Sequence, residues 1–187
     1  MTILISGFEP FNKHNSNPSS LLLPILKKRH PQIKTIELPV TYSGAWRLLK
    51  QKVHECSAQK VICLGLSEAR HQISIERVAL NLIDANIVDN EGKKYQDQPI
   101  VNHAPIAYWA TFPTRQLLEV LKSNQIGACL SESAGTFVCN HLFYNLCHEI
   151  ASQKINIQGG FIPLPLESKM PLQTQQKAIS LMINYLS

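Results

Sequence analysis

From Thr2 to Leu186, short apolar runs of strand length alternate with stretches whose apolar residues recur at helical spacing. That alternation is the strongest constraint on the fold. Strands are expected at Thr2–Ser6, Ile33–Val40, Lys60–Gly65, Ile75–Ile83, Ile126–Ser131 and Ile157–Leu166. Helices are expected from Asn17-Pro18 onward, over Ser43–Cys56, Thr114–Asn124 and Gly135–Ser152, and at Leu172–Leu186. Asn17 suits a cap and Pro18 the first helical position, while Pro24 should kink that helix or delay its start. Strands and helices in alternation imply a sheet covered on both faces. The expected class is α/β, a three-layer α/β/α sandwich on a central, mostly parallel but mixed twisted sheet. The polar and aromatic stretch from Lys93 to Pro113 reads as a long ordered loop. No repeat, linker or low-complexity tract divides the chain, so a single domain over residues 1–187 is expected. In such sheets ligands sit beyond the carboxyl ends of the strands, which directs attention to the loops after Ser6, Gly65 and Ser131.

Composition narrows the function classes. Hydrophobic residues are 44% and charged residues 17%, as in ordinary folded proteins. Eighteen basic residues against thirteen acidic ones are scattered, apart from Lys27-Lys28-Arg29-His30 at a helix end. No basic stripe with interleaved aromatics argues for nucleic acid. No apolar stretch approaches the roughly 20 residues of a bilayer crossing, and Met1 leads straight into Ile3-Leu4-Ile5, so a cytoplasmic protein is expected. The five cysteines form no C-x-x-C pair and their number is odd, which argues for reduced thiols over disulfides or zinc. No metal or organic cofactor is indicated.

One cysteine stands out by context. Ser133-Ala134-Gly135-Thr136-Phe137-Val138-Cys139-Asn140-His141-Leu142-Phe143-Tyr144 follows a strand and enters a helix. In the first helical turn Cys139 would meet the positive end of the dipole and free N–H groups, which favour thiolate and are expected to lower its pKa. Those N–H groups would also suit an oxyanion. Cys139 shares a helical face with Phe143, Leu146 and Ile150, so a small core residue is the alternative reading from pattern alone.

Ala134 through Tyr144 resembles the nucleophile motif of the pyroglutamyl-peptidase (pyrrolidone-carboxylate peptidase) family of cysteine exopeptidases. Ser6-Gly7-Phe8-Glu9-Pro10-Phe11 with Asn17-Pro18-Ser19 resembles the family's substrate loop. Glu76-Arg77-Val78-Ala79-Leu80-Asn81 and Asp89-Asn90-Glu91-Gly92 resemble its central block, Ala107-Tyr108-Trp109 its following loop, and Gly159-Gly160-Phe161-Ile162 its last strand. The similarity spans nearly the whole chain in order. It implies removal of an N-terminal pyroglutamyl residue from peptides, with Cys139 as nucleophile and Glu76 as the carboxylate that orients a histidine. Without the resemblance Glu76 would read as a surface partner of Arg77 or another cation. Phe8 and Phe11 match residues lining the pocket for the lactam, a small, flat, neutral ring that aromatic faces suit. Asn17 matches a position near that pocket. The resemblance further implies a homo-oligomer, commonly a tetramer, binding an N-terminal pyroglutamyl peptide or small lactam, with no nucleic acid or membrane partner.

Where the resemblance places the catalytic histidine, after Gly159-Gly160-Phe161-Ile162, this chain has Pro163. Asn86 and Leu66 likewise stand where an arginine and a glutamine are expected. Proline can neither deprotonate a thiol nor protonate a leaving amine, and the nearby Arg70 and Glu68 do not restore a base. His103, in the long loop, is the first candidate for a displaced base, with His71 and His14 as others. His141 lies two residues from Cys139 on a helix and should point away. The implied activity is therefore impaired peptidase turnover. The alternatives are a silent homologue acting as a lactam-binding or assembly subunit, and a thiol enzyme for activated esters.

Overall fold

The computed structural model describes residues 1–187. The chain runs β1 (Ile3–Phe8), α1 (Pro18–Arg29), β2 (Lys34–Leu38), α2 (Tyr42–Glu55), β3 (Lys60–Leu66), β4 (Ile73–Glu76), β5 (Val78–Leu80), β6 (Ala107–Trp109), α3 (Thr114–Ser123), β7 (Ala128–Ser131), α4 (Val138–Gln153), β8 (Gln158–Leu164) and α5 (Leu172–Leu186). Four strands pair in the order β2-β1-β3-β8, and every pair is parallel. The parallel pair β4-β7 continues beyond β8, with β4 packed beside it. Strands buried on both faces need a hydrophobic layer on each. Clusters of 23 and 21 buried residues supply these layers: one joins α1, α3 and α5 to the sheet, the other α2 and α4. The expected α/β sandwich is therefore present.

Pro163 marks the one seam without a ladder. Gln158 N donates to Gln59 O and Ser67 N donates to Leu164 O, so the even-numbered residues of β8 turn their backbone groups toward β3. By alternation the ring nitrogen of Pro163 faces β4, where it has no hydrogen to donate.

Several expected elements shift for physical reasons. Pro24 neither ends nor delays α1, which starts at Pro18 with the Asn17 side chain accepting from Ser19 N. The single strand expected over Ile75–Ile83 divides at Arg77. Its N–H donates to Ser131 O at 2.7 Å, but its carbonyl accepts from Ala110 N at 2.8 Å, so the chain leaves β7 there and joins β6. The partner, Ala107–Trp109, is antiparallel to β5 and lies inside the stretch expected to be loop. Helix α4 begins at Val138 rather than Gly135, because Gly135 sits at φ 80° and Thr136 O accepts from Asp84 N. A left-handed residue stops helix propagation, and glycine adopts it without strain.

Candidate active site

The loops after β1 and β3 and the start of α4 meet beyond the carboxyl edge of the sheet, around a cavity of about 330 Å³. Phe8 and Phe11 come from the first loop, Leu66 and Glu68 from the second, and Phe137 and Cys139 from the helix entry. The Phe11 and Phe137 rings lie 5.2 Å apart at 39°, and Tyr42 stands edge-on behind Phe137 at 5.6 Å. A small planar ring suits such walls.

The first loop is pinned at both ends. Ser19 Oγ accepts from Phe8 N at 2.9 Å and donates to Asn17 Oδ1 at 2.8 Å, while Asn17 Nδ2 donates to Glu9 O at 3.1 Å. Gly7 is required, since a β-carbon there would collide with the backbone carbonyl of Ser19. Asn17 thus caps α1, ties down the loop and lines the cavity. From the far side, Asn90 Nδ2 donates to Glu9 Oε1 at 2.7 Å, and Asp89 accepts from Tyr42 N, Glu91 N and Lys93 N. The turn Asp89-Asn90-Glu91-Gly92 is thus a brace for the first loop. That role was not legible from the sequence, where the segment stands out only by its resemblance to the family's central block.

Cys139 is the second residue of α4. The preceding Phe137 gives no side-chain cap, so the first N–H groups have no helical partner. Asn140 anchors the turn: its Oδ1 accepts from Leu80 N at 3.0 Å, and its Nδ2 donates to Leu80 O at 2.9 Å and Leu82 O at 3.1 Å. The sulfur lies over Gly65, whose added β-carbon would come within 3.0 Å of Sγ and 2.6 Å of the Phe161 ring. The residue is half-buried and open to the cavity, yet the thiol is deeply desolvated. Burial pushes its pKa up to about 12, with Cys63 and Glu76 adding to the shift. This corrects the expected lowering. A helix terminus contributes about 0.3–1 kcal/mol, less than the desolvation here, and the resting sulfur is a thiol.

Glu76 is fully buried at the end of β4, not at the surface. Its Oε1 accepts from Arg70 Nη2 at 3.1 Å, while Oε2 has no partner. Burial raises its pKa, against the pull of the Ser131 hydroxyl and the Arg70 guanidinium. Arg70 also donates to Ser74 Oγ, Ser131 Oγ and Ser133 O. Arg77 turns instead to Glu132, at 3.2 Å, and lies over the Trp109 ring. Beside Arg70, a smaller cavity of about 150 Å³ is lined by Pro163, Gly135 and Ser133, and Leu66, Ser67 and Cys139 line both this cavity and the larger one.

The histidines fall apart spatially. His103 is exposed at φ 60° and lines neither cavity. His71 is exposed as well. His141 packs against Tyr42 at 5.4 Å, and burial holds its pKa down to about 4, so it is neutral and outside both cavities. Only His14 lines the larger cavity, with Nε2 2.7 Å from Glu68 Oε1. No group of three or more His, Cys, Asp or Glu side chains is placed to hold a metal ion, and no helix is long and apolar enough to cross a membrane.

Fold and site together define an α/β protein built around a cysteine at an open helix start. A family model described as Pyroglutamyl peptidase matches residues 1–185. The pyrrolidone-carboxylate peptidase of Bacillus mycoides (strain KBAB4) is 38% identical over 195 aligned residues, covering 97% of this chain and 91% of the relative. That of Bacillus thuringiensis (strain Al Hakam) is 36% identical with the same coverage. The crystal structure of pyrrolidone carboxyl peptidase from Pyrococcus furiosus superposes with TM-score 0.92 at 32% identity, covering 99% of this chain and 97% of that one. Pyroglutamyl peptidase I of Bacillus amyloliquefaciens gives 0.91 at 34%, covering 96% and 93%. The chain belongs to the pyroglutamyl peptidase family.

Proposed function

We propose that this chain binds an N-terminal pyroglutamyl residue, with its lactam ring between Phe8, Phe11 and Phe137, and cleaves the following bond only slowly through Cys139. The observation that carries this reading is the sulfur on the wall of an aromatic cavity roomy enough for a lactam and the start of a peptide, beside an uncapped helix start. In that pose the acyl carbon faces Sγ, and the free N–H groups of the first turn are placed to receive the oxyanion. Slow turnover follows from the surroundings of the sulfur. Its proton is held by a pKa of about 12, and Glu76 is engaged by Arg70 rather than by an imidazole. Pro163 occupies the place of the family's histidine. Positioned acid–base catalysis is worth about 10²–10⁴-fold, and losing the base of a mutually dependent set costs up to about 10⁶.

A chromogenic pyroglutamyl amide tests the reading. Weak turnover abolished by Cys139→Ala is expected, with a gain of about 10²-fold or more in Pro163→His, whose imidazole would enter the small cavity beside Arg70. Robust wild-type turnover would contradict the impaired base. The silent-homologue reading is favoured by the same raised thiol pKa, and lactam binding without any turnover would establish it. The homo-oligomer implied by the family has exposed apolar residues available at Ile87, Val88, Ile106 and Trp109; the solution mass of the purified chain decides it.

A further inference from the structure

His14 and Glu68 approach each other from different loops on the wall of the Cys139 cavity. The turn Phe11-Asn12-Lys13-His14 closes with His14 N donating to Phe11 O at 3.2 Å, with Asn12 at φ 57°. Glu68 is held in turn by Lys169, whose Nζ donates to its carbonyl at 2.6 Å. The His14 side chain is 18% exposed against 48% for Glu68, so the ring is the inner member of the pair. A pair this solvated contributes only about 0–1 kcal/mol to stability, which leaves its position on the cavity poorly explained by folding. Because Nε2 faces the carboxylate, an Nε2–H tautomer leaves Nδ1 with a free lone pair, and Nδ1 has no other partner. This is the arrangement of an oriented base, on a cavity that Pro163 does not line.

We infer that His14, oriented by Glu68, is the acid–base group that serves Cys139 in this chain. The inference rests on the proposed slow hydrolysis and names where its residual proton transfer occurs. Nδ1 takes the thiol proton, directly or through one water, as sulfur bonds to the acyl carbon and the carbonyl pair moves to oxygen. The imidazolium then returns the proton to the amine nitrogen as the C–N bond breaks. In the second half Nδ1 takes a proton from water as its oxygen attacks the thioester, and the sulfur leaves and is reprotonated. Glu68 is a positioning residue and stays ionised; its carboxyl is held below the usual range chiefly by His14, with Lys13 and Lys169 adding to the effect. Lys13 and Lys169 are the cations near the Glu68 carboxylate, and Cys139 lines the same cavity as the ring.

The test is His14→Asn in two backgrounds, wild type and Pro163→His, on the pyroglutamyl amide. In the wild-type background kcat/KM should fall about 10–100-fold with little change in KM, and the acidic limb of its pH profile should disappear. Glu68→Gln should shift that limb and lower kcat by a smaller factor. In the Pro163→His background, where a second imidazole bypasses the first, the effect of His14→Asn should nearly vanish. An equal loss in both backgrounds would assign His14 to pocket structure and overturn the inference, as would no loss in either. A wild type that is inactive while Pro163→His turns over would also overturn it, yet leave the lactam site standing. If no variant turns over, the proposed hydrolysis fails. The inference then falls too unless His14→Asn slows iodoacetamide labelling of Cys139 at neutral pH and removes its acidic limb.

Discussion

Two half-buried side chains near the site are held in their uncharged forms, for the same reason and with opposite shifts. Desolvation raises the Cys139 thiol to about 12 and lowers His141 to about 4. For His141 the folded pKa lies below the ordinary 6.5, so it contributes stability above that value and loses it as pH falls toward 4. Thermal unfolding should therefore show the wild type losing more stability between pH 7 and pH 4 than His141→Gln. Parallel curves for the two proteins would contradict the burial argument. Neither shift was legible in the sequence. Cys139 was placed correctly in the first turn of a helix, but spacing carries no information on Gly65 and Phe161, which close over the sulfur from other strands.

Helix α4 shows how one motif residue positions another. Asn140 satisfies three backbone groups of the Leu80–Leu82 segment and so fixes the turn that carries Cys139. Asn140→Ala should cost about 2–4 kcal/mol, because buried backbone groups lose their partners, and denaturant midpoints will measure it. A loss under about 1 kcal/mol would mean that the turn is held by packing alone. The expected helix starting at Gly135 missed this clamp, since a pattern of apolar residues does not reveal a left-handed glycine. The division at Arg77 was hidden for a related reason. Ile75 through Ile83 keeps an apolar character while its hydrogen-bonding partner changes, and only tertiary pairing decides that.

Across the whole molecule, the alternation of strands and helices was enough to place the loops after β1, after β3 and before α4 at one edge of the sheet. Those loops and the strand and helix ends that they join carry the residues of the larger cavity used above. The lengths of α5 and most strands were legible to within a few residues. The pairing of Glu76 with Arg70, the brace at Asp89 and the meeting of His14 with Glu68 were not, because only the folded chain decides which side chains meet. The resemblance supplied roles for Cys139, Glu76, Phe8, Phe11 and Asn17; the structure gathers Cys139, Phe8, Phe11 and Asn17 around one cavity and sets Glu76 behind Arg70. His103 is left outside.

The central claim, that Cys139 faces a lactam-binding cavity, is tested by intact-mass analysis after treatment with a pyroglutamyl chloromethyl ketone. The sulfur displaces chloride, so no leaving amine needs a proton and the identity of the acid–base group matters least. One adduct is expected, located at Cys139, slowed by excess 2-pyrrolidone and absent in Cys139→Ala. Labelling spread over the half-buried Cys56 and Cys129, or unaffected by the free lactam, would contradict it.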